Sequence, residues 1–323
     1  MALLDIRHLS IGINTPNGRV KMVDNINLTL DEGDVLKDEW LVTADRFRFN
    51  DIELLKLPVT QRRKVVGEQI SMVFQDALLS LDPSETIGKQ LIKTVQFKGK
   101  WWQWFGWKKK RAIELLHRVG IRDHKDIMRS YPSDITEGEA QKVMIAMAIA
   151  NQPRLLVADE PTNTMEATTQ LQIYRLLSSM NKNLGTSILL VSSDMKNIAP
   201  WVDSFNVLYC GQTVEIGDKE DILTKPLHPY TSALLNSIPD FSHPLVSKSH
   251  LNTLKGSIPM LQEMPIGCRL GPRCPFAQKK CIQKPPLKKF KQREFACYFP
   301  INFREVNVNR KAEFEPVVVA ERE

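Results

Sequence analysis

Leu155-Leu156-Val157-Ala158-Asp159-Glu160-Pro161-Thr162 is the stretch on which the reading of this chain turns. Four apolar residues in a row, without alternation, fit a strand buried on both faces of a parallel sheet. Two adjacent carboxylates at its end fall at the C-terminal edge of that sheet, where ligands bind in α/β folds. There Asp159 can hold Mg²⁺ through water, and Glu160 can orient or deprotonate a water that attacks a γ-phosphate. Taken alone, Asp-Glu-Pro-Thr is equally a strand-ending turn with a helix cap.

Working outward, strands and helices alternate. Upstream, Ile26, Leu28 and Leu30 alternate with polar neighbours, the period of a half-buried strand, and Glu32-Gly33-Asp34 signals a turn. Thr43 to Leu54 reads as a short strand running into a turn, and Gln69 to Phe74 as a strand ending at Gln75. Ala112, Leu115, Leu116 and Val119 mark one face of an amphipathic helix. Gly138 to Ala150 is apolar nearly all round and predicts a buried helix. Downstream, Ile173, Leu176, Leu177 and Met180 mark another helix face, and Ile188 to Val191 the next buried strand. This alternation predicts an α/β sheet. After about Pro239, prolines, lysines and cysteines accumulate, which places a domain boundary there. The tail from Arg310 is charged and expected to be disordered.

Apolar residues make up 42% of the 323 and charged residues 25%, so an ordinary globular core is within reach. The formal charge of +7 suits anionic partners such as lipid headgroups, nucleotides or nucleic acid, and is equally common among soluble proteins. The start, MALLDIRHLS, lacks the basic and apolar regions of a signal peptide. The longest apolar stretch, Val143 to Ala150, is far short of a membrane span. A cytosolic location is expected, with any membrane contact peripheral.

Around the two carboxylates sit Phe74-Gln75, then Ile135-Thr136-Glu137-Gly138-Glu139-Ala140-Gln141, then Asn163-Thr164-Met165-Glu166, then Val191-Ser192-Ser193-Asp194. Their order and spacing resemble the ABC ATPase cassette, over roughly Leu3 to Pro239. Further on, His228-Pro229-Tyr230-Thr231, Ile266-Gly267-Cys268-Arg269 and Gly271-Pro272-Arg273-Cys274-Pro275 are similar to the C-terminal region of oligopeptide and dipeptide importers. The resemblance implies an α/β, P-loop NTPase-like cassette over 1–239. It has a RecA-like core sheet, a helical subdomain at about 76–152, and a Cys-rich extension over 240–309. It implies ATP and Mg²⁺ as cofactors, with catalytic roles for Glu160, Gln75 and Ser193, the last at the switch-histidine position. Nucleotide contacts would come from Thr136, Glu137, Gly138 and Glu139 of the signature, Asp159 of Walker B and Glu166 of the D-loop. The implied partners are a second ABC ATPase subunit, integral-membrane permease subunits and, indirectly, a periplasmic peptide-binding protein. Nucleic acid is not among them. The implied place is the cytoplasmic face of a bacterial inner membrane.

The chain departs from that pattern where it matters most. The phosphate loop, G-x-x-x-x-G-K-[ST], supplies backbone N–H groups and a lysine that cradle the phosphates. The two Gly-Lys pairs here, Gly88-Lys89 and Gly99-Lys100, have no glycine five residues earlier and no Ser or Thr following. Only nine residues, Asp34 to Val42, separate Gly33 from Thr43, too few for strand, loop and helix. The phosphate-loop strand and helix are therefore expected to be absent, leaving Asp159 and Glu160 to repel a triphosphate. The signature core reads Thr136-Glu137-Gly138, which adds a carboxylate where a γ-phosphate would face it; the same residues have the Ser/Thr-x-x-Glu spacing of a capping box. Ser193 lacks a histidine's reach and charge. One composite site of a head-to-tail dimer would then be dead and the other degenerate, which favours a heterodimer. Three readings remain open: the energising subunit of a peptide importer, a non-hydrolysing structural or regulatory partner, and a soluble ABC protein acting on nucleic acid. The third lacks the second cassette or coiled-coil insert usual for such proteins.

Two clusters lie outside the cassette motifs. Cys268, Cys274, Cys281 and Cys297 are spaced by five, six and fifteen residues, without the short knuckle usual for zinc. Some importer ATPases that this chain resembles carry a [4Fe–4S] cluster here; zinc or partly buried free thiols are the alternatives. Cys210, at the end of a predicted strand, reads as core. Trp101-Trp102-Gln103-Trp104-Phe105-Gly106-Trp107 precedes Lys108 to Arg111 and suits a membrane interface, a docking surface, base stacking or a small satellite core.

Overall fold

The structure is a computed structural model and describes residues 3–15, 18–30, 41–96, 104–163, 165–237, 254–260 and 263–303. The Glu32-Gly33-Asp34 turn, Trp101 to Gln103, the boundary at Pro239 and the tail from Arg310 lie outside the described residues. In chain order the first strands are β1 (Leu4–Thr15), β2 (Gly18–Leu30), β3 (Leu41–Thr43), β4 (Arg46–Phe49) and β5 (Ile52–Glu53). Helix α1 (Val59–Gln69) leads into β6 (Ile70–Val73). Helices α2 (Ala77–Ser80), α3 (Ile87–Thr94), α4 (Trp104–Arg118), α5 (His124–Ile127) and α6 (Glu137–Ile149) follow. Then come β7 (Leu155–Asp159), α7 (Ala167–Leu184), β8 (Ser187–Val191), α8 (Met195–Ile198), β9 (Ser204–Tyr209) and β10 (Gln212–Asp218). The remainder holds α9 (Lys219–Thr224), α10 (Pro229–Asn236), β11 (Lys288–Phe290) and β12 (Arg293–Phe295). The chain divides into two compact units, one built on Phe47–Ser193 and the other on Ile6–Leu28 together with the chain from Asp194.

In the first unit, β6, β7 and β8 form a parallel sheet in that order, with Ile70 opposite Leu155 and Asp159 opposite Val191. The β7 residues Leu155 to Ala158 are all buried, as a central parallel strand requires. Helices α3, α4 and α6 pack a common core through Leu91, Leu115, Leu116, Val143 and Ile145. Helix α6 starts at Thr136, whose hydroxyl accepts the Glu139 N–H at 3.3 Å while Glu139 Oε2 accepts the Thr136 N–H at 2.9 Å. That reciprocal box satisfies two donors that the first turn leaves open. Helix α7 stops at Gly185, which takes φ 67°, the left-handed cap that glycine adopts without a Cβ clash.

Three expectations change. Thr43 to Leu54 is not one strand: β4 and β5 form a hairpin across Asn50-Asp51, both at positive φ, with Phe49 opposite Ile52. Gln69 ends α1 instead of opening β6. The strand at Ile188 to Val191 is present, but it is not buried on both faces. Ile188 to Leu190 are half-buried and Val191 is 45% exposed, because among the described residues β8 has no strand on its outer side.

In the second unit an antiparallel sheet runs β11-β12-β10-β9. Cys210 is not core. With Gly211 it forms the two-residue turn between β9 and β10, both residues at positive φ (47° and 73°) and Tyr209 opposite Gln212, the backbone twist a tight hairpin prefers. Glu215, fully buried in β10, accepts hydrogen bonds from the Leu227 N–H at 2.8 Å and the His228 N–H at 2.9 Å, and an ion pair from Arg293 at 2.6 Å. Three donors on one buried carboxylate meet the condition under which a buried charge is tolerated.

Candidate functional site

The site is built at the C-terminal end of β7. Asp159 closes the strand, and Glu160 follows at φ 43°, an uncommon conformation for a residue with a Cβ. Its N–H donates to the Val191 carbonyl at 3.0 Å, which ties it to the end of β8. Its Oε1 accepts both the N–H of Ser193 at 3.0 Å and the Ser193 hydroxyl at 2.9 Å. Ser193, expected at the switch position, thus acts here as a clamp on the neighbouring carboxylate. Burial, and then the charge of Glu160, raise the Asp159 carboxyl above the ordinary carboxylate range. A half-buried carboxylate beside a second one, with no cation bonded to it among the described residues, is chemistry suited to a divalent metal ion, so the pair fits Mg²⁺.

Gln75 lies exposed just past β6, whose last residue Val73 pairs with Ala158, so it shares the sheet edge with Asp159 and Glu160. Helix α6 anchors this approach. The Phe74 N–H meets Met144 Sδ at 3.0 Å, and the buried Gln141 side chain donates to the Phe74 carbonyl at 3.3 Å. The loop after Glu160 is pinned to α7: Thr162 Oγ1 and the Tyr174 hydroxyl are 2.7 Å apart, and Gln170 donates to the carbonyls of Thr162 and Met165. Met144, Gln170 and Tyr174 lie outside the motifs that the sequence offers. Gln141 closes the Ile135–Gln141 stretch, but its bond to the Phe74 carbonyl is not readable from spacing.

The signature residues take the capping alternative. Thr136 and Glu139 bond each other, while Glu137 is exposed in the first turn. Gly138 has open space where a Cβ would lie. Glu166 is the exposed N-cap residue of α7 and makes no side-chain cap bond.

The four C-terminal cysteines are free thiols bordering one pocket with His228 and Phe276. Burial raises the thiols of Cys268 and Cys274, and that of Cys297 to about 11. Among the described residues no group of three or more His, Cys, Asp or Glu is placed to hold a metal ion. The iron–sulfur cluster implied by resemblance therefore finds no support. The thiols are gathered, but among the described residues they are not arranged as a ligand set, and apolar burial favours the protonated form of Cys268, Cys274 and Cys297. In α4, Trp107 is exposed while Lys108 is buried.

A buried parallel strand that delivers two carboxylates to its C-terminal edge, flanked by a glutamine loop and a capped helix, defines an ATP-binding cassette of the P-loop NTPase type. Comparison with known proteins agrees. Residues 24–163 match the ABC transporter family, and residues 214–281 match the oligopeptide/dipeptide transporter C-terminal region. The chain is 58% identical to the peptide transport system ATP-binding protein SapD of Haemophilus influenzae, over 99% of this chain and 98% of that one. That alignment runs to 343 positions against the 323 residues here, so the relative carries residues without a counterpart in this chain. It is 34% identical to the dipeptide transport ATP-binding protein DppD of Escherichia coli, over 94% and 98% of the two chains. The fold matches the dimeric ATP-binding cassette MJ0796 bound to ADP and Pi, with a TM-score of 0.59 and 19% identity over 67% of this chain and 98% of that one. This chain belongs to the ABC transporter ATP-binding proteins of the oligopeptide/dipeptide transporter family.

Proposed function

We propose that this chain is the ATP-binding subunit of a Sap-type peptide importer and couples ATP binding and hydrolysis to peptide transport across the inner membrane, with its own ATP site impaired. The observation that carries this reading is the pair Asp159 and Glu160 at the end of β7, for which the sequence supplies no phosphate loop. Asp159 would hold Mg²⁺, which would supply charge neutralisation to the phosphates. Glu160 orients the attacking water, and Gln75 lines the same edge. Without oriented amides and a lysine, the two carboxylates repel a triphosphate, and the Glu137 carboxylate would oppose a γ-phosphate facing the signature by about 1–4 kcal/mol at contact range in a wet site. The half-exposed apolar strand β8 supports the same reading, since removing a strand from a parallel sheet leaves such an edge.

In this reading the cassette spans 1–239, with a helical subdomain at about 76–152, and the importer-type extension spans 240–309. The chain pairs with a second ABC ATPase subunit, and this heterodimer sits on permease subunits at the cytoplasmic face of the membrane. A periplasmic peptide-binding protein delivers the substrate. The partner's phosphate loop would face Thr136 to Glu139 of this chain in the surviving composite site. In transport vesicles containing both subunits, mutating the partner's Walker lysine is expected to cut ATP turnover by about a hundredfold. Unchanged turnover would refute the asymmetry.

A second reading is a catalytically inactive structural or regulatory partner, favoured by the Ser193 clamp that occupies Glu160 Oε1 with two donors. It predicts that Gly138→Asp, at a position with open space for a side chain, leaves turnover of the assembled transporter unchanged, whereas the first reading, which places Thr136 to Glu139 in the surviving site, predicts a drop.

A further inference from the structure

The extension carries a surface that nucleotide chemistry does not explain. From Met264 to Arg293 the sequence has nine Lys or Arg and no Asp or Glu. Several of these cations are engaged internally: Arg293 on Glu215, Lys284 on Asp24, Arg269 on the Cys210 carbonyl, and Arg273 on the Tyr209 hydroxyl. Lys279 and Lys280 are exposed. Lys280 lies over the Tyr298 ring at 4.8 Å, which leaves its charge at the surface.

Large apolar side chains stand beside these lysines. Ile266 is 98% exposed, Ile282 77% and Phe276 51%. The backbone holds them together. The Cys268 N–H donates to the Cys281 carbonyl at 3.0 Å, and Gly267 passes so close that a Cβ there would lie 2.2 Å from the Ile282 carbonyl oxygen. Lys279–Ile282 is a single 3₁₀ turn, and Phe276 precedes it by three residues. Fully exposed aliphatic side chains set among exposed lysines are unusual on a soluble surface and mark a contact.

We propose that this patch is a membrane-surface contact that takes anionic lipid headgroups. A second copy of this chain would bring the same cations face to face and be repelled. A nucleic acid offers the anions but nothing to cover Ile266 and Ile282. An anionic bilayer satisfies both: aliphatic tips enter the headgroup–acyl boundary while lysine stems reach phosphate. Among the described residues no helix is long and apolar enough to cross a membrane, so the contact is peripheral. It does not depend on whether the chain hydrolyses ATP.

The test is flotation of the full chain with vesicles of phosphatidylcholine containing about 30% phosphatidylglycerol, against phosphatidylcholine alone. The expected result is about tenfold more bound protein on the anionic vesicles, lost at about 0.5 M NaCl. Lys279→Glu/Lys280→Glu should abolish binding, and Ile266→Ser/Ile282→Ser should weaken it severalfold at unchanged thermal midpoint. Lys125→Glu/Arg129→Glu, an equal charge change on exposed residues of the other unit, should leave it intact. Equal binding to neutral vesicles, equal loss in the Lys125/Arg129 control, or tighter binding to a DNA duplex than to anionic vesicles would overturn the proposal.

Discussion

Glu160 is held in a conformation it would not choose. Its φ of 43° costs about 1 kcal/mol for a residue with a Cβ, and the bonds from Ser193 and to Val191 offset it. Ser193→Ala removes one donor from Glu160 and should lower stability by about 1 kcal/mol, read from the urea midpoint. Asp159 poses the opposite problem. Its carboxyl is raised in the fold, so between the unfolded and folded values the native state binds more protons, and stability falls as pH rises through that window. Asp159→Asn removes that cost and should stabilise the protein at pH 7, by up to about 1 kcal/mol, and less at pH 3, as calorimetry at the two pH values would show. The positions of these carboxylates were legible in the sequence, because an apolar run ending in Asp-Glu has few other places to go. The clamp was not: Ser193 lies 33 residues away, and only the pairing of β7 with β8 brings it to Glu160.

Helix α6 and strand β7 were legible for a local reason: their apolar patterns are read within one element. The start of α6 was legible too, since Thr136 and Glu139 have capping-box spacing and the structure uses it. Thr136→Ala should therefore cost about 1 kcal/mol, measurable by chemical denaturation, and Thr136→Ser should cost much less. The Thr43–Leu54 segment reads as a short strand running into a turn; the second strand after the Asn50-Asp51 turn, β5, is too short for its pattern to show. For β8, an Ile-Leu-Leu-Val run predicts a central strand, but whether a neighbour exists is a property of the sheet and not of the run. That mismatch between a core-type sequence and a half-exposed edge is the element-level trace of the missing phosphate-loop strand in the reading proposed above.

For the whole molecule, the second unit depends on a polar knot that motif reading did not supply, since Glu215 and Arg293 are 78 residues apart. Arg293→Ala leaves Glu215 buried and short of its cation, and should destabilise by about 3 kcal/mol or more. His228 caps α10 through Nδ1, which accepts the Tyr230 N–H at 3.1 Å, and burial lowers its pKa to about 3. The unfolded chain takes up that proton first, so stability is lost as pH falls below the ordinary histidine value, by up to about 1.4 kcal/mol per pH unit. His228→Asn, which can still cap, should flatten that slope between pH 6.5 and 4 in urea titrations. Two carboxylates without a phosphate loop remain the centre of the functional account. A fluorescent ATP analogue titrated with Mg²⁺ onto the isolated chain tests this most directly: no saturation is predicted below about 1 mM, and saturable binding in the micromolar range would contradict it.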